Sequence, residues 1–337
     1  MNKPGKLSIP SRGAYAGAIL EENQTGMESF NRATGVRHSL FMTFVSFPEV
    51  LDAGDPNHGK LVRFVQSCAA NRAIPTVTLE AFGGLNSYSL RNVMEFADLL
   101  GRFNVPMILR WNHEMNGSWY PWGQQPDLYV SKFREFANVI HARAPGVAMA
   151  WTPTQGWGYP WPGCKHFTPG VTSLDPYLPY YPGDEFVDWV GTSFYHWGET
   201  RGANQAPPPG KWGTALGVGN PVPNFHTLFA SGRGKPMMIA ETSALYDTGN
   251  SLGAGASEAE IKKAWIQQVY NLADNEQPQL DIHFPMIKAI FWFNILKFEA
   301  EVKGDVDWRV DSSQEVCRFY SQAVGNEYFT KAGLRVL

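Results

Sequence analysis

Eight short runs of apolar or β-branched residues recur along the 337-residue chain, and most of them precede a segment with helical periodicity. A run that stays apolar throughout, such as residues 236–240, is typical of a parallel strand that is covered on both faces. Strands that alternate with helices predict parallel βαβ units. The predicted strands are residues 13–20, 39–47, 74–81, 105–113, 146–152, 189–195, 236–241 and 288–294.

Helical periodicity is clearest in three segments between these runs. Apolar side chains recur at helical spacing over residues 61–68, 130–140 and 261–272. The third segment also carries a start signal, because Ser257 and Glu260 have the spacing of a capping box. A helix is therefore predicted to begin at Ser257.

The number of units favours a closed sheet over an open one. An open doubly wound sheet commonly has a Gly-rich phosphate-binding loop after its first strand, and none is present. Eight units instead predict an α/β fold of the (β/α)8 TIM barrel type, and 337 residues fit one such domain over residues 1–337. Residues 153–186 and 198–223 are rich in Pro and Gly without helical periodicity, which predicts long loops on the C-terminal face of the barrel.

Charge and composition exclude several classes of partner. A formal net charge of −3 and a pI near 6.2 provide no positive field to gather nucleic acid or anionic lipid. No run of 18 apolar residues occurs, and the N-terminus lacks the apolar segment of an export signal. We therefore expect no nucleic acid partner, no membrane partner and a monomer. Cys68, Cys164 and Cys317 follow no CxxC or zinc-ligand spacing, so at most one disulfide could form and buried free thiols are expected.

Two glutamates stand where apolar strands are predicted to end. Glu114 directly follows the fourth strand, and Glu241 ends the seventh. The carboxyl ends of the strands of such a barrel meet at one face, where active sites lie. Cleavage of a glycosidic bond with retention needs two carboxyl groups about 5–5.5 Å apart, one to protonate the leaving oxygen and one to attack the sugar. Most glutamates are solvated surface residues, but this placement favours a catalytic pair.

Residues 110–119 read Arg-Trp-Asn-His-Glu-Met-Asn-Gly-Ser-Trp and resemble the acid/base motif of glycoside hydrolase family 26. The archetypes of that family are β-mannanases, within a large clan of retaining (β/α)8 enzymes. The segment Ala240-Glu241-Thr242 is similar to the nucleophile segment of the family, and the likeness extends over residues 13–294. The resemblance implies an O-glycosyl hydrolase that acts on a polysaccharide or oligosaccharide and needs neither cofactor nor metal.

The resemblance also implies a role for each matching residue. Glu114 matches the acid/base, Glu241 the nucleophile, and Tyr195 the tyrosine that hydrogen-bonds to the nucleophile. The remaining matches are His113, which helps to position the catalytic centre, Trp119, an aromatic of the sugar-binding cleft, and Trp292, the platform beneath the sugar at the cleaved bond. Further substrate-binding candidates are Arg110, Asn112, Glu80 and Trp122.

Elementary electrostatics supports two different roles for the glutamates. A phenol beside Glu241 would favour the carboxylate by donating a hydrogen bond, whereas aromatic neighbours would desolvate Glu114 and raise its pKa. Structural alternatives stay open for the other residues. They are barrel packing for Tyr195 and Trp292, a hydrogen-bonded structural role for His113, and a strand-end ion pair for Glu80.

The sequence constrains the identity of the substrate less than the type of reaction, because the chain departs from the mannanase pattern. Residues 119–122 read Trp-Tyr-Pro-Trp, and the third strand ends in Leu79-Glu80, where mannanases commonly have further tryptophans. A retaining endo-β-1,4-mannanase-like enzyme is the first expectation. Mixed-linkage β-1,3-1,4-glucanase, β-1,3-xylanase and exopolysaccharide hydrolase remain alternatives. Secretion would suit such substrates, although the sequence leaves the location open.

Two other classes of protein compete with a glycosidase. A metal-dependent hydrolase is suggested by the adjacent His113 and Glu114 and by the polar loop over residues 52–58, but neither has the spacing of a zinc or calcium motif. A noncatalytic carbohydrate-binding protein would use the same aromatic side chains. It would leave both strand-end glutamates without a purpose.

Overall fold

The computed structural model describes residues 5–156, 159–160, 175–219, 223–275 and 278–330. Eight parallel strands follow one another in chain order, and the last pairs with the first, so the sheet closes into a barrel. The predicted (β/α)8 TIM barrel is confirmed. The strands are β1 (Ala14–Leu20), β2 (Leu40–Ser46), β3 (Ile74–Glu80), β4 (Met107–Trp111), β5 (Val147–Trp151), β6 (Trp189–Ser193), β7 (Met237–Thr242) and β8 (Ile287–Asn294).

Helices surround the barrel, and most of them carry a start signal in the sequence. The helix predicted at Ser257 is confirmed, because Ser257 Oγ accepts from the Glu260 amide at 3.3 Å and the Glu260 carboxylate accepts from the Ser257 amide at 2.8 Å. The helices are α1 (Met27–Thr34), α2 (Pro56–Ala70), α3 (Leu90–Phe103), α4 (Pro126–Arg143), α5 (Lys211–Ala215), α6 (Glu258–Val269), α7 (Leu280–His283) and α8 (Gln314–Val324). Shorter helical turns lie at Glu49–Leu51, Leu178–Tyr180, His226–Ala230 and Ser231–Arg233.

The strands divide the core into two layers. On β8, Ala289, Phe291 and Phe293 belong to the cluster inside the barrel. Ile290 and Trp292 alternate with them and pack outward against the helices. The interior is tight, since a Cβ added at Gly17 on β1 would lie 2.7 Å from the Phe291 ring. Glycine at this position therefore makes room for an aromatic ring between neighbouring strands.

A hairpin beyond the barrel was not predicted. After β8 the chain forms β9 (Leu296–Glu299) and β10 (Gly304–Asp307), which pair antiparallel. Gln24, in the loop after β1, fixes the base of this hairpin because its side chain bonds both the carbonyl and the amide of Leu296, at 2.8 and 2.9 Å. The last helix of the described chain is α8, and a two-residue strand β11 (Phe329–Thr330) pairs parallel to β1.

The two segments that were predicted to be loops differ in how far the structure describes them. The segment 198–223 contains the short helix α5, which its Pro and Gly content concealed. In the segment 153–186, residues 157–158 and 161–174 lie outside the described residues, and so does Cys164. Cys68 and Cys317 are free thiols. Within the described ranges, no helix has the length and apolar character to cross a membrane.

Candidate active site

Glu114 and Glu241 line one cleft of about 1100 Å³ at the mouth of the barrel. Glu241 lies in β7, one residue before the strand ends. Glu114 follows β4 in a turn in which both Asn112 (φ +43°) and Glu114 (φ +54°) have left-handed backbone. The amide of Glu114 donates to the Thr152 carbonyl at 2.8 Å, which fixes this unusual turn to the end of β5.

Both oxygens of the Glu241 carboxylate receive a hydrogen bond. Arg110 Nη1 donates to Oε1 and the Tyr195 hydroxyl donates to Oε2, each at 2.5 Å. Burial, followed by the charge of Glu241, raises the pKa of Tyr195 well above its ordinary value, so its phenol remains a donor. Two fixed donors set the orientation of this carboxylate in the cleft.

Arg110 holds this carboxylate from inside the barrel. Its side chain is fully buried and does not line the cleft. Besides Glu241, it donates to Thr152 Oγ1 through Nε and to Ser193 Oγ through Nη2, both at 2.7 Å. A buried guanidinium requires such partners, because leaving one donor unpaired is costly. The prediction that Arg110 binds substrate is therefore wrong: it contacts Glu241 and does not reach the cleft.

Glu114 has a different environment, which favours its protonated form. Burial, and next the charge of Glu241, raise the pKa of Glu114 to about 7. The charge of Arg110 and the hydrogen bond from Trp119 act in the opposite direction. The Trp119 indole donates to Glu114 Oε2 at 2.9 Å while half of its own surface stays exposed in the cleft. The Glu114 carboxyl group can thus hold a proton near neutral pH.

His113 is supported by two stacked aromatic rings. Its Nε2 lies 3.0 Å from the Tyr120 hydroxyl and 3.9 Å from Glu241 Oε1. Trp122 donates its indole N–H to the His113 carbonyl at 2.7 Å, and its ring stacks on that of Tyr120 at 4.4 Å. Burial holds the pKa of His113 well below its ordinary value, so the imidazole is neutral. It lines the cleft as an uncharged group.

Three predicted substrate contacts lie away from the cleft. Trp122 is fully buried beneath Tyr120. Asn112 is also buried, and its Oδ1 accepts from the Ala81 amide at 2.9 Å, which ties the end of β3 to β4. Trp292 faces the helices, where its indole donates to the Trp308 carbonyl at 2.9 Å. These three predictions are corrected, because each side chain packs within the protein instead of contacting the cleft.

The hairpin residues supply a cleft wall that the sequence did not reveal. Trp308, which follows β10, lies with its ring centre 5.2 Å from that of Tyr195 and 4.9 Å from that of Trp197. Its indole donates to Glu299 Oε1 at 3.1 Å. Arg201 stacks over Trp197 at 4.3 Å. Aromatic side chains at loop positions carry no strand or motif signal, so only the fold identifies them as cleft residues.

Glu80 also lines the cleft, as a buried carboxyl group. Burial, and next the charge of Glu241, raise its pKa to about 7. Within the described part of the chain Glu80 makes no ion pair, which argues against the strand-end alternative. It offers an acceptor, or below neutral pH a donor, for a hydroxyl group in the cleft.

The Glu80→Gln variant is expected to be more stable than the wild type at pH 8 but not at pH 4. Because the folded-state pKa is raised, Glu80 contributes stability below its ordinary pKa of 4.5 that is lost as the pH rises towards 7. We expect a gain of about 1–3 kcal/mol in the free energy of unfolding at pH 8. Urea unfolding at both pH values measures it, with the exposed Glu22→Gln as matched control. An equal effect of Glu80→Gln at both pH values would contradict this account.

The polar loop over residues 52–58 has a structural role. Asp55 caps α2 by accepting from the Asn57 amide at 2.7 Å. Asn57 Oδ1 accepts from the Ser46 amide at 3.0 Å, and His58 Nδ1 lies 2.9 Å from the Val50 carbonyl. Among the described residues there is no group of three or more His, Cys, Asp or Glu side chains that could hold a metal ion.

Comparison with known proteins agrees with this architecture. The sequence model of glycosyl hydrolase family 26 matches residues 69–205. The chain is 22% identical to endoglucanase H of Acetivibrio thermocellus over 95% of its length, and 26% identical to β-1,3-xylanase TXYA of a Vibrio species over 55%. It spans only about a third of each of these relatives, 32% and 36% of their lengths.

Solved structures with the same fold include endo-β-1,4-mannanases. That of Bacillus sp. JAMB-750 superimposes with a TM-score of 0.61 at 14% identity, covering 95% of this chain and 88% of the other. A double mutant of the Cellulomonas fimi enzyme gives a TM-score of 0.63 at 14% identity, covering 96% and 73%. At this level of identity the likeness shows the fold alone.

The closed barrel, with two glutamates delivered to one cleft from the ends of β4 and β7, is the arrangement typical of (β/α)8-barrel glycoside hydrolases. Within that class, the chain is similar to glycoside hydrolase family 26, whose sequence model matches residues 69–205.

Proposed function

We propose that the protein is a retaining β-glycanase in which Glu241 is the nucleophile and Glu114 the acid/base. The observation that carries the proposal is the contrast between the two carboxyl groups of one cleft. Glu241 receives two hydrogen bonds from Arg110 and Tyr195, whereas the pKa of Glu114 is raised to about 7. Two titratable groups with opposed environments are what an acid and a nucleophile require.

The first step forms a glycosyl-enzyme. A Glu241 oxygen attacks the anomeric carbon while the proton of Glu114 passes to the glycosidic oxygen, so the carbon–oxygen bond breaks and the aglycone leaves as an alcohol. In the second step Glu114 takes a proton from water, whose oxygen displaces Glu241 from the anomeric carbon. The two inversions leave the sugar with its original configuration.

The charge of Glu241 couples the two steps. It is the second-largest cause of the raised pKa of Glu114. Esterification in the glycosyl-enzyme removes that charge, so the pKa of Glu114 falls at the stage when it must act as a base. Tyr195 and Arg110 stay in place to receive the carboxylate again when the ester is cleaved.

For the substrate we infer a β-linked polysaccharide, with β-1,4-mannan as the first candidate because endo-β-1,4-mannanases share the fold. β-Glucan is the second candidate, favoured by the match to an endoglucanase along 95% of this chain. β-1,3-Xylan is suggested by the shorter match to a xylanase. A noncatalytic sugar-binding role is disfavoured, because two carboxyl groups with opposed environments serve no purpose in binding alone.

A product screen with the purified protein tests the proposal. The substrates are mannan, galactomannan, barley β-glucan, β-1,3-xylan and curdlan, and the readout is new reducing ends. Proton NMR of the first product should show the β-anomer before mutarotation, because double displacement retains configuration. We expect turnover to survive a chelator. Sugar binding without hydrolysis of any substrate, or the α-anomer as first product, would contradict the proposal.

A further inference from the structure

The hairpin of β9 and β10 presents one of its two faces to the cleft. Lys297 and Glu299 lie two residues apart on β9, so their side chains leave the strand on the same side. Both of them line the cleft. Phe298, which stands between them, leaves on the opposite side and is 63% exposed. The face that carries Lys297 and Glu299 is therefore the one turned towards the barrel mouth.

Lys297 and Glu299 form an ion pair on this face. Lys297 Nζ lies 3.2 Å from Glu299 Oε1, and the Trp308 indole donates to the same oxygen at 3.1 Å. Within the described part of the chain both bonds go to Oε1, so Oε2 keeps its capacity to accept. The Lys297 side chain is half-exposed, whereas that of Glu299 is largely buried. The pair offers the cleft an ammonium donor beside a carboxylate acceptor.

Two aromatic rings place this ion pair beside the candidate nucleophile. The Lys297 ammonium lies 5.7 Å from the centre of the Phe293 ring, and the Trp308 indole bonds the partner carboxylate. Phe293 and Trp308 both pack edge-on against Tyr195, with ring centres 5.7 and 5.2 Å from its own. Tyr195 in turn donates to Glu241. The ion pair and the candidate nucleophile thus share one aromatic wall.

We propose that Lys297 and Glu299 bind the sugar unit next to the one that Glu241 attacks. The ammonium donates to one hydroxyl group of that sugar, and Glu299 Oε2 accepts from a neighbouring hydroxyl. The ligand is an uncharged pyranose, because one positive and one negative side chain leave no net charge to attract an anionic sugar.

The acid/base candidate decides on which side of the cleaved bond this sugar lies, a step that rests on the proposed function. Glu114 protonates the departing oxygen, so the leaving part of the substrate lies on its side. Glu114 bonds to Trp119 in the loop after β4, whereas the ion pair is linked by aromatic rings to Tyr195, the partner of Glu241. The ion pair therefore contacts the part of the substrate that stays on the enzyme in the glycosyl-enzyme.

The Lys297→Met variant tests the subsite by binding alone. All proteins in this test carry Glu241→Gln, which prevents turnover, and hexasaccharides of β-1,4-mannan, barley β-glucan and β-1,3-xylan are titrated by calorimetry. We expect Lys297→Met to weaken the binding of the best of them about 10-fold, the size of one hydrogen bond to a charged group. Glu299→Gln should also weaken binding, while its oxygen still accepts from the Trp308 indole.

Lys303→Met is the matched control. Lys303 is an exposed lysine in the turn of the same hairpin, outside the lining of the cleft. This variant makes the same change of charge and shape as Lys297→Met. Its affinity for the hexasaccharide and its thermal midpoint should equal those of the parent protein.

Aryl glycosides test the side of the cleaved bond. 4-Nitrophenyl β-glycosides with one, two or three sugars share one leaving group and differ only in the part that stays on the enzyme. With Glu241 intact, we expect Lys297→Met to lower kcat/KM about 10-fold for the two longer substrates and to leave the one-sugar substrate unchanged. An equal loss on all three would contradict the proposal, because the lysine would then act at the reacting sugar.

The outcomes separate this inference from the proposed function. Unchanged hexasaccharide binding in folded Lys297→Met, or no binding by the parent protein, would overturn the subsite. Lack of hydrolysis by the wild type in the product screen would remove the proposed function and leave the titrations as the test of the subsite. A loss of affinity in Lys297→Met that Lys303→Met does not reproduce would establish it.

Discussion

Replacement of Glu241 by glutamine is expected to lower kcat by roughly 1,000-fold or more, because the amide cannot form the glycosyl ester. Glutamine has nearly the same shape, and its oxygen can still accept the hydrogen bond from Arg110. Sugar binding should therefore persist. Initial rates on the substrate found in the product screen, with calorimetric binding of an oligosaccharide to the same variant, measure both quantities.

Glu241→Ala should be equally inactive but less stable, since it leaves the Arg110 guanidinium without its carboxylate. The comparison separates chemistry from folding. Turnover at the wild-type rate in folded Glu241→Gln would exclude this residue as the nucleophile.

Among these variants, Arg110→Met is expected to lower the free energy of unfolding the most. Breaking a buried ion pair by removing one partner typically costs about 3–5 kcal/mol, because the remaining charge stays buried. Here the remaining charge is Glu241, and Ser193 and Thr152 also lose their donor. We expect kcat to fall by about 100-fold as well, since the proposed nucleophile Glu241 loses the group that orients it.

A double variant distinguishes charge burial from loss of packing. Arg110→Met combined with Glu241→Gln removes both charges, so it should be more stable than Arg110→Met alone by urea unfolding. Arg110→Lys is the second comparison, because it keeps the charge but cannot reach three acceptors with a fixed fork. Wild-type stability in Arg110→Met would show that the buried pair contributes nothing.

The barrel was predictable because each of its strands is covered on both faces. Such strands must be apolar at nearly every position, so the sequence marks them clearly, as in β7 and β3. Their ends fell within about two residues of the predicted bounds. The same logic located Glu114 and Glu241, since a charged residue at the end of an apolar strand has few places to lie other than the barrel mouth.

The orientation of Trp292 could not be predicted for the same physical reason. All eight residues of β8 are buried, so no alternation of polar and apolar side chains shows which of them face inward. Register shifts between β7 and β8 add to the uncertainty. Phe293, the next residue, lines the cleft instead.

The buried hydrogen bonds of Arg110 beneath the glutamates could not be predicted from the sequence either. Arg110 was assigned to sugar binding because it belongs to the motif, but it points into the barrel and contacts Ser193, 83 positions along the chain. The hairpin of β9 and β10 has alternating side chains without a two-residue Asn-Gly or Asp-Gly turn, so it gave no clear signal. Long-range contacts of this kind depend on closure of the barrel.

The left-handed backbone at Glu114 has an evolutionary consequence. Glycine adopts this conformation freely, whereas for a residue with a Cβ its conformational energy is higher by roughly 1–2 kcal/mol. Glutamate is therefore a locally unfavourable choice, which selection for the proposed hydrolysis would have to maintain. In related proteins that have lost catalytic activity, we expect glycine or asparagine to accumulate at this position. The residue at this one position of a sequence alignment would then identify the inactive relatives.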